Sequence, residues 1–211
     1  MKTIAKDTTI VKAVTRGTFR EDFAVGKNAH LIVVYVVAAK GKMELYPSVH
    51  LTGAGATATL IGLVTGTGSA EVKMSTLQHH KAPNTTSNLL VKSILSDNSS
   101  FAYDGSITVD KKAQKTDAYQ RNENMLLDTE TQAISSPALE ILANDVRCTH
   151  GATVKTIDEN ELWYLASRGI DPESARAMIA SGFLRSAFSL IQDDDTRSRV
   201  ETMVSELEKG K

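Results

Sequence analysis

The sequence predicts a mainly β protein, a parallel β-helix, followed by a small α-helical region. Three observations carry that expectation. Short β-branched runs separated by small and polar turn residues recur about every ten residues through the first two thirds of the chain, with no helical pattern between them. Strict hairpin turns are few, and strand positions are often Thr, Ser, Ala and Val, which stack well coil upon coil and favour a solenoid over a sandwich. After Val154 the apolar spacing changes from that of strands to that of helices. No repeat of fixed length is visible.

In chain order, the segments Thr8–Val14, Leu31–Ala39, Met43–Tyr46, Ala58–Val64, Glu71–Met74 and Ser106–Val109 read as strands. Arg16-Gly17, Gly41, Gly53-Ala54-Gly55, Gly66-Thr67-Gly68, Asp97-Asn98 and Asp104-Gly105 read as the turns between them. Asp158 with Glu161 opens a first helix whose apolar face is Leu162, Trp163, Leu165 and Ala166, and Arg168-Gly169 closes it. Asp171-Pro172 opens a second, with Ala175, Met178, Ile179, Phe183, Ala187 and Leu190 at helical spacing. A third runs from Thr196 to about Lys209 with Val200, Met203, Val204 and Leu207 on one stripe, and Asp193-Asp194-Asp195 is its solvated start. The expected organisation is a β-helix core over residues 1–157 and a helical region over 158–211. Three short helices cannot build a sizeable core alone, so they pack on the solenoid end, on one another or on a partner, either as a cap over the last coil or as a dock.

Composition sets the class. With 24 basic and 25 acidic side chains, the chain has no basic excess that calls for nucleic acid or a membrane surface. The longest apolar run, Leu31–Ala39, is a buried strand and far too short for a membrane span. A single cysteine excludes an internal disulfide framework, and the first residues do not resemble a signal peptide, so the expected compartment is the cytoplasm.

Several motifs fail on context. Gly53-Ala54-Gly55-Ala56-Thr57-Ala58 mimics a dinucleotide fingerprint, but a β-branched run follows where a helix is required. No Walker loop is present, so ATP hydrolysis is expected from a partner and not from this chain. His79 and His80 are adjacent, would face opposite sides of a strand, and read as residues before the Pro83 turn. No carboxylate pair stands out for glycoside chemistry.

The stretch from Ser136 to Val154 holds the only cysteine and, two residues on, a histidine. If residues 140–154 run extended, Val146, Cys148 and His150 share one face and Arg147 and Thr149 the other. Two positions along a strand separate Cα atoms by roughly 6.6 Å, so thiol and imidazole can address one site. As a thiol enzyme, Cys148 would be the nucleophile and His150 the base, but no orienting group or oxyanion site is evident. As metal ligands the pair is incomplete, since iron–sulfur clusters take about four ligands. Such a site would be shared with another chain or transient, and a buried structural pair is the plain alternative.

Cys148-Thr149-His150-Gly151-Ala152-Thr153-Val154, Leu162-Trp163-Tyr164-Leu165 and Ser167-Arg168-Gly169-Ile170 resemble the C-terminal signature of the SufB/SufD core proteins of the Suf iron–sulfur cluster assembly machinery. Ala82-Pro83-Asn84-Thr85-Thr86-Ser87, the stretch Ala113–Asn122 with Leu126-Leu127, and Pro137-Ala138-Leu139-Glu140-Ile141 fall in the family's order, so the resemblance covers residues 44–190. It implies a right-handed parallel β-helix followed by helices, and a non-enzymatic scaffold working with SufB and with SufC, an ABC-type ATPase. SufB-type chains carry a cysteine and a glutamate where this chain has Ile141 and Gly151, so the resemblance is to the SufD branch. His150 matches the histidine of SufD implicated at the subunit interface, as a ligand of iron or of a transient cluster shared with a partner chain, and Cys148 matches its neighbouring cysteine. Lys155 stands where many relatives have glycine. The implied contacts are a SufC-type ATPase on the C-terminal helices and a SufB-type subunit or a second copy on the last β-strands. Full SufD chains are about twice this length; here the strand pattern begins almost at Met1, as in a compact variant or a fragment.

Overall fold

The computed structural model describes residues 1–209, with side chains to Glu206. Its strands are β1 (Lys2–Ile4), β2 (Thr8–Val14), β3 (Gly17–Val25), β4 (His30–Ala39), β5 (Met43–Leu51), β6 (Thr57–Gly66), β7 (Glu71–His80), β8 (Thr86–Leu95), β9 (Ser100–Val109), β10 (Thr116–Leu126), β11 (Gln132–Ile141) and β12 (Val146–Thr156). Odd-numbered strands form one six-stranded sheet and even-numbered strands the other, with parallel pairing throughout. The chain therefore climbs as a parallel β-solenoid, alternating between two sheets that face each other across a filled lumen. The register lengthens along the climb: Lys2 pairs with Phe23, His30 with Thr57, Thr57 with Thr86, and Ser100 with Gln132. A fixed repeat is absent because the coils themselves grow.

The even sheet is buried on both faces, which is why Leu31–Ala39 is a near-continuous apolar run. Leu31, Val33, Tyr35 and Val37 face the lumen, while Val34 and Val36, with Ile61 and Leu63 on β6, face outward against Ala180, Leu184, Phe188, Val200 and Val204. Those outward residues are what hold the three helices. The helices consequently run back along the flank of the even sheet, reaching β8, β4 and β2, and form a lateral layer and not a cap on the solenoid end. Of the arrangements open to the helices, the structure shows this one because the outer face of the even sheet presents the apolar residues that hold them.

The helices are α1 (Glu159–Ser167), α2 (Pro172–Arg185) and α3 (Asp194–Lys209). Asp158 and Asp171 cap the first two by accepting the amide protons of Asn160 and Ser174, and Asp193 accepts that of Thr196 at 2.7 Å. Gly169, at φ 81°, ends α1 as expected. The apolar face expected on α1 is only partly inside: Leu162 packs half-buried against the outer cluster of the even sheet, but no residue of the helix is fully buried and Trp163 is 74% exposed, because α1 packs mainly beside α2. The helical pattern read as continuing to Leu190 breaks after Arg185 into a 3₁₀ segment, Ser186–Leu190, that buries Ala187 and Phe188. On α3, Val200 and Val204 are buried and Met203 partly so, while Leu207 lies outside the described side chains.

Turns stack as the strands do. Asn28, Gly55, Asn84 and Lys115 all have positive φ at one corner, each amide bonding to a carbonyl in the coil above it. Gly53, in the dinucleotide look-alike, lies so close to the Lys27 backbone that an added Cβ would sit 2.0 Å from its nitrogen. The motif is a turn leading into β6, as its context required.

Candidate functional site at the open end of the solenoid

The last coil is formed by β11 and β12, which are the final strands of their sheets and have no neighbour above them among the described residues. The turn between them fixes the register. Asp145 accepts the Lys115 amide at 2.6 Å and donates its own to Gln114 Oε1 at 3.0 Å, so Val146 starts β12 opposite Thr116. The Arg147 guanidinium then forks onto the Asp117 carboxylate of β10, with Nε 3.0 Å from Oδ1, and holds that carboxyl below its usual range. Residues 142–145 are this turn, so the extended segment begins at Val146 and not at 140.

From that register the alternation follows. Cys148 pairs with Ala118 and His150 with Gln120, and both of those β10 residues are buried in the lumen. Cys148 and His150 therefore share the inward face, as the period of two predicts, but no further coil covers them. Cys148 is half-buried against the cluster of Ile107, Val109, Ala113, Ala118 and Ala143, and His150 is exposed. Across the lumen, β11 turns Leu139 and Ile141 to the same opening, each 38% exposed. Gly151 points the other way, with nothing within 4 Å of an added Cβ.

Burial, with the Asp117 carboxylate adding to it, pushes the Cys148 thiol up, and a backbone hydrogen bond at Ala118 offsets only part of this. The thiol is thus held in its protonated form, which is neither nucleophile nor metal ligand until something displaces the proton. Among the described residues no group of three or more His, Cys, Asp or Glu side chains is placed to hold a metal ion. Cys148 and His150 are two donors on one open face.

The other histidines are elsewhere. His80 is fully buried, bonded through its two ring nitrogens to Thr85 at 2.7 Å and Ser87 at 2.8 Å, and burial lowers its pKa to about 4. His79, on the opposite face of β7, bonds Asp110 at 2.9 Å and packs its ring against His50. Sequence reasoning missed the polar lumen of the upper coils: Gln78, His80, Ser87, Ser93, Gln120, Asn122 and Asn124 are all buried. Only the cross-strand register brings these distant polar residues together.

A second surface lies on the flank. α1 and α2 stand over β8, β10 and β12 and leave a groove of about 800 Å³ whose lining includes Lys92, Lys155, Tyr164, Met178 and Phe183. Trp163, Tyr164 and Met178 are exposed on the two helices beside it. No described helix is long and apolar enough to cross a membrane.

Comparison with known proteins agrees with this architecture. The family model for the SUF system FeS cluster assembly, SufBD core domain, matches residues 13–183. The chain is 37% identical over 124 residues to the iron–sulfur cluster assembly protein SufD of Escherichia coli, an overlap of 59% of this chain and 29% of the relative. It is 38% identical over 102 residues to the chloroplastic protein ABCI7 of Arabidopsis thaliana, covering 48% of this chain and 22% of that one. It is 32% identical over 139 residues to the SufBD family protein Mb1496 of Mycobacterium bovis, covering 66% and 16%. The chain spans less than a third of the length of each of these relatives. A two-sheet parallel solenoid with a helical flank, matched by the family model from its first full coil into α2, belongs to the SufBD core family of SUF-system iron–sulfur cluster assembly.

Proposed function

We propose that this protein is a SufD-like, non-catalytic scaffold subunit of a SufBCD-type complex in the cytoplasm, and that its last coil forms half of an assembly site shared with a second chain. The observation that carries the reading is that Cys148 and His150 share the inward face of a terminal strand left open, two donors short of a cluster site. An open parallel edge rimmed by Leu139 and Ile141 is a surface that a second solenoid can close, burying apolar area and pairing unsatisfied backbone groups together. The partner is a SufB-type subunit, whose cysteine and glutamate would stand where this chain has Ile141 and Gly151, or a second copy. Iron, sulfide or the nascent cluster is then cargo held transiently, with His150 as ligand and Cys148 beside it.

The division at residue 157 assigns the two contacts: the β-helix core, residues 1–157, meets the second solenoid, and the helical region, 158–211, meets a SufC-type ATPase. The apolar stripes of α2 and α3 are spent on the even sheet, so the ATPase dock is α1 with the outer side of α2 around Trp163, Tyr164 and Met178. No observation favours the alternative of a stand-alone thiol enzyme, since burial keeps Cys148 protonated and no hydrogen bond joins it to His150.

The deciding experiment is His150→Ala in cells that depend on this protein for cluster assembly. Cluster-enzyme activities should fall sharply while the purified variant keeps its stability within about 1 kcal/mol, as for an exposed side chain. Unfolding without a specific assembly defect would return His150 to a structural role.

A further inference from the structure

Gln120 is 1% exposed, and neither its amide nitrogen nor its carbonyl oxygen has a hydrogen-bond partner. Leaving such a group unpaired in an interior is costly, and an apolar side chain of the same size would avoid that cost. The space for the amide is specifically built. Gly105, on the facing strand β9, carries no side chain where an added Cβ would lie 2.3 Å from Gln120 Nε2 and 2.4 Å from the Tyr103 hydroxyl. The Tyr103 hydroxyl is committed to Thr76 at 2.8 Å and does not satisfy the amide. In register directly above Gln120, about 4.8 Å away along the sheet, stands His150, inward-facing, exposed and uncovered.

We infer that Gln120 is a positioning residue for His150: its Oε1 accepts the proton of one imidazole nitrogen, reached by a change of side-chain rotamer at the open coil, and leaves the other nitrogen's lone pair facing out of the solenoid end. A histidine that ligates through one nitrogen needs its other N–H fixed by an acceptor, which sets both tautomer and ring orientation. The amide that finds no partner in the lumen is that acceptor. This inference rests on the reading of His150 as the interface ligand, but its test does not.

The test records imidazole ¹⁵N shifts of His150 in the purified full chain at pH 8, for the parent protein and for Gln120→Met and Gln120→Glu. Gln120→Met keeps the volume and removes the acceptor; Gln120→Glu keeps an acceptor oxygen. The tautomer ratio of His150 should move in Gln120→Met to that of a solvent-exposed histidine in a short peptide and stay at the parent value in Gln120→Glu. The melting temperature of Gln120→Met should stay close to that of the parent, because the variant loses the bond to His150 but also removes the buried amide nitrogen that has no partner. An unchanged tautomer ratio in Gln120→Met, with the variant folded, overturns the inference; if that variant does not fold, a ratio in Gln120→Glu shifted to the peptide value overturns it. In cells, assembly should drop several-fold for Gln120→Met and be retained for Gln120→Glu. A tautomer shift combined with normal assembly in both Gln120→Met and His150→Ala leaves the positioning intact and overturns the interface reading instead.

Discussion

Lys92 on β8 and Phe183 on α2 meet face-on: the ammonium lies 4.1 Å from the ring centroid and also donates to the Glu123 carboxylate. The charge is almost wholly buried and satisfied by one anion and one aromatic face, so it ties the helical flank to the even sheet. Removing one partner should cost far more than removing the pair. Glu123→Ala should lower unfolding stability by about 3–5 kcal/mol, whereas Lys92→Met with Glu123→Leu should be near neutral. Urea titrations of the single and double variants measure both.

Acid should weaken the fold through His80. Its neutral ring is preferred in the folded chain, with a pKa lowered to about 4 from the ordinary 6.5, so the unfolded state binds the extra proton between those values. Stability should be full above about pH 6.5 and fall as pH drops toward 4, by up to about 3 kcal/mol from this residue. His50, also lowered by burial, acts in the same direction. Stability measured against pH for His80→Gln should show a shallower fall over that window.

Lys115 occupies a left-handed corner that its neighbours in the stack fill with Asn28, Gly55 and Asn84. A side chain of ordinary type pays about 1–2 kcal/mol there, and glycine gives back part of that in chain entropy. Lys115→Gly should therefore raise stability by up to about 1 kcal/mol, read as a higher denaturation midpoint with unchanged slope.

Deleting residues 171–211 would uncover Val34, Val36, Ile61 and Leu63 on the outer face of the even sheet. The truncated chain should self-associate, visible as large species in sedimentation, and so is a poor probe of partner binding. Trp163→Ala with Tyr164→Ala, at exposed positions, should keep the chain monodisperse and abolish capture of a SufC-type ATPase. Capture at the parent level would move the dock elsewhere.

Purified chain alone should hydrolyse no ATP, since it carries no Walker loop. A colorimetric phosphate assay on protein free of any ATPase subunit checks this. In the same cells used for His150→Ala, Cys148→Ser should impair assembly less, because a serine fills the same volume.

Strands whose inner face is apolar were readable from spacing: β4 and β6 show it over nearly their whole lengths. β10 escaped because its lumen face is Gln120, Asn122 and Asn124, so a strand polar on both sides carries no apolar alternation. β3 escaped similarly, with Glu21 turned inward to Lys12 and Tyr35. The shared face of Cys148 and His150 was legible from the period of two alone. Gln120 was not, since its relation to His150 exists only once β10 and β12 are in register, thirty residues apart in the chain. Trp163 misled because an apolar residue at helical spacing signals a contact without saying whether that contact lies within the chain.

The lengthening of the coils bears on how such a chain could be enlarged. Successive strands advance by the same number of residues only through the middle, where Met43 meets Val72, Thr57 meets Thr86 and Glu71 meets Ser100. A duplicated segment spliced there would find floor and ceiling of its own perimeter. The same segment spliced beside β1 or β11 would overhang one neighbour and fall short of the other. This solenoid is a tapered stack with a single place for a spare part, not a rod of interchangeable units.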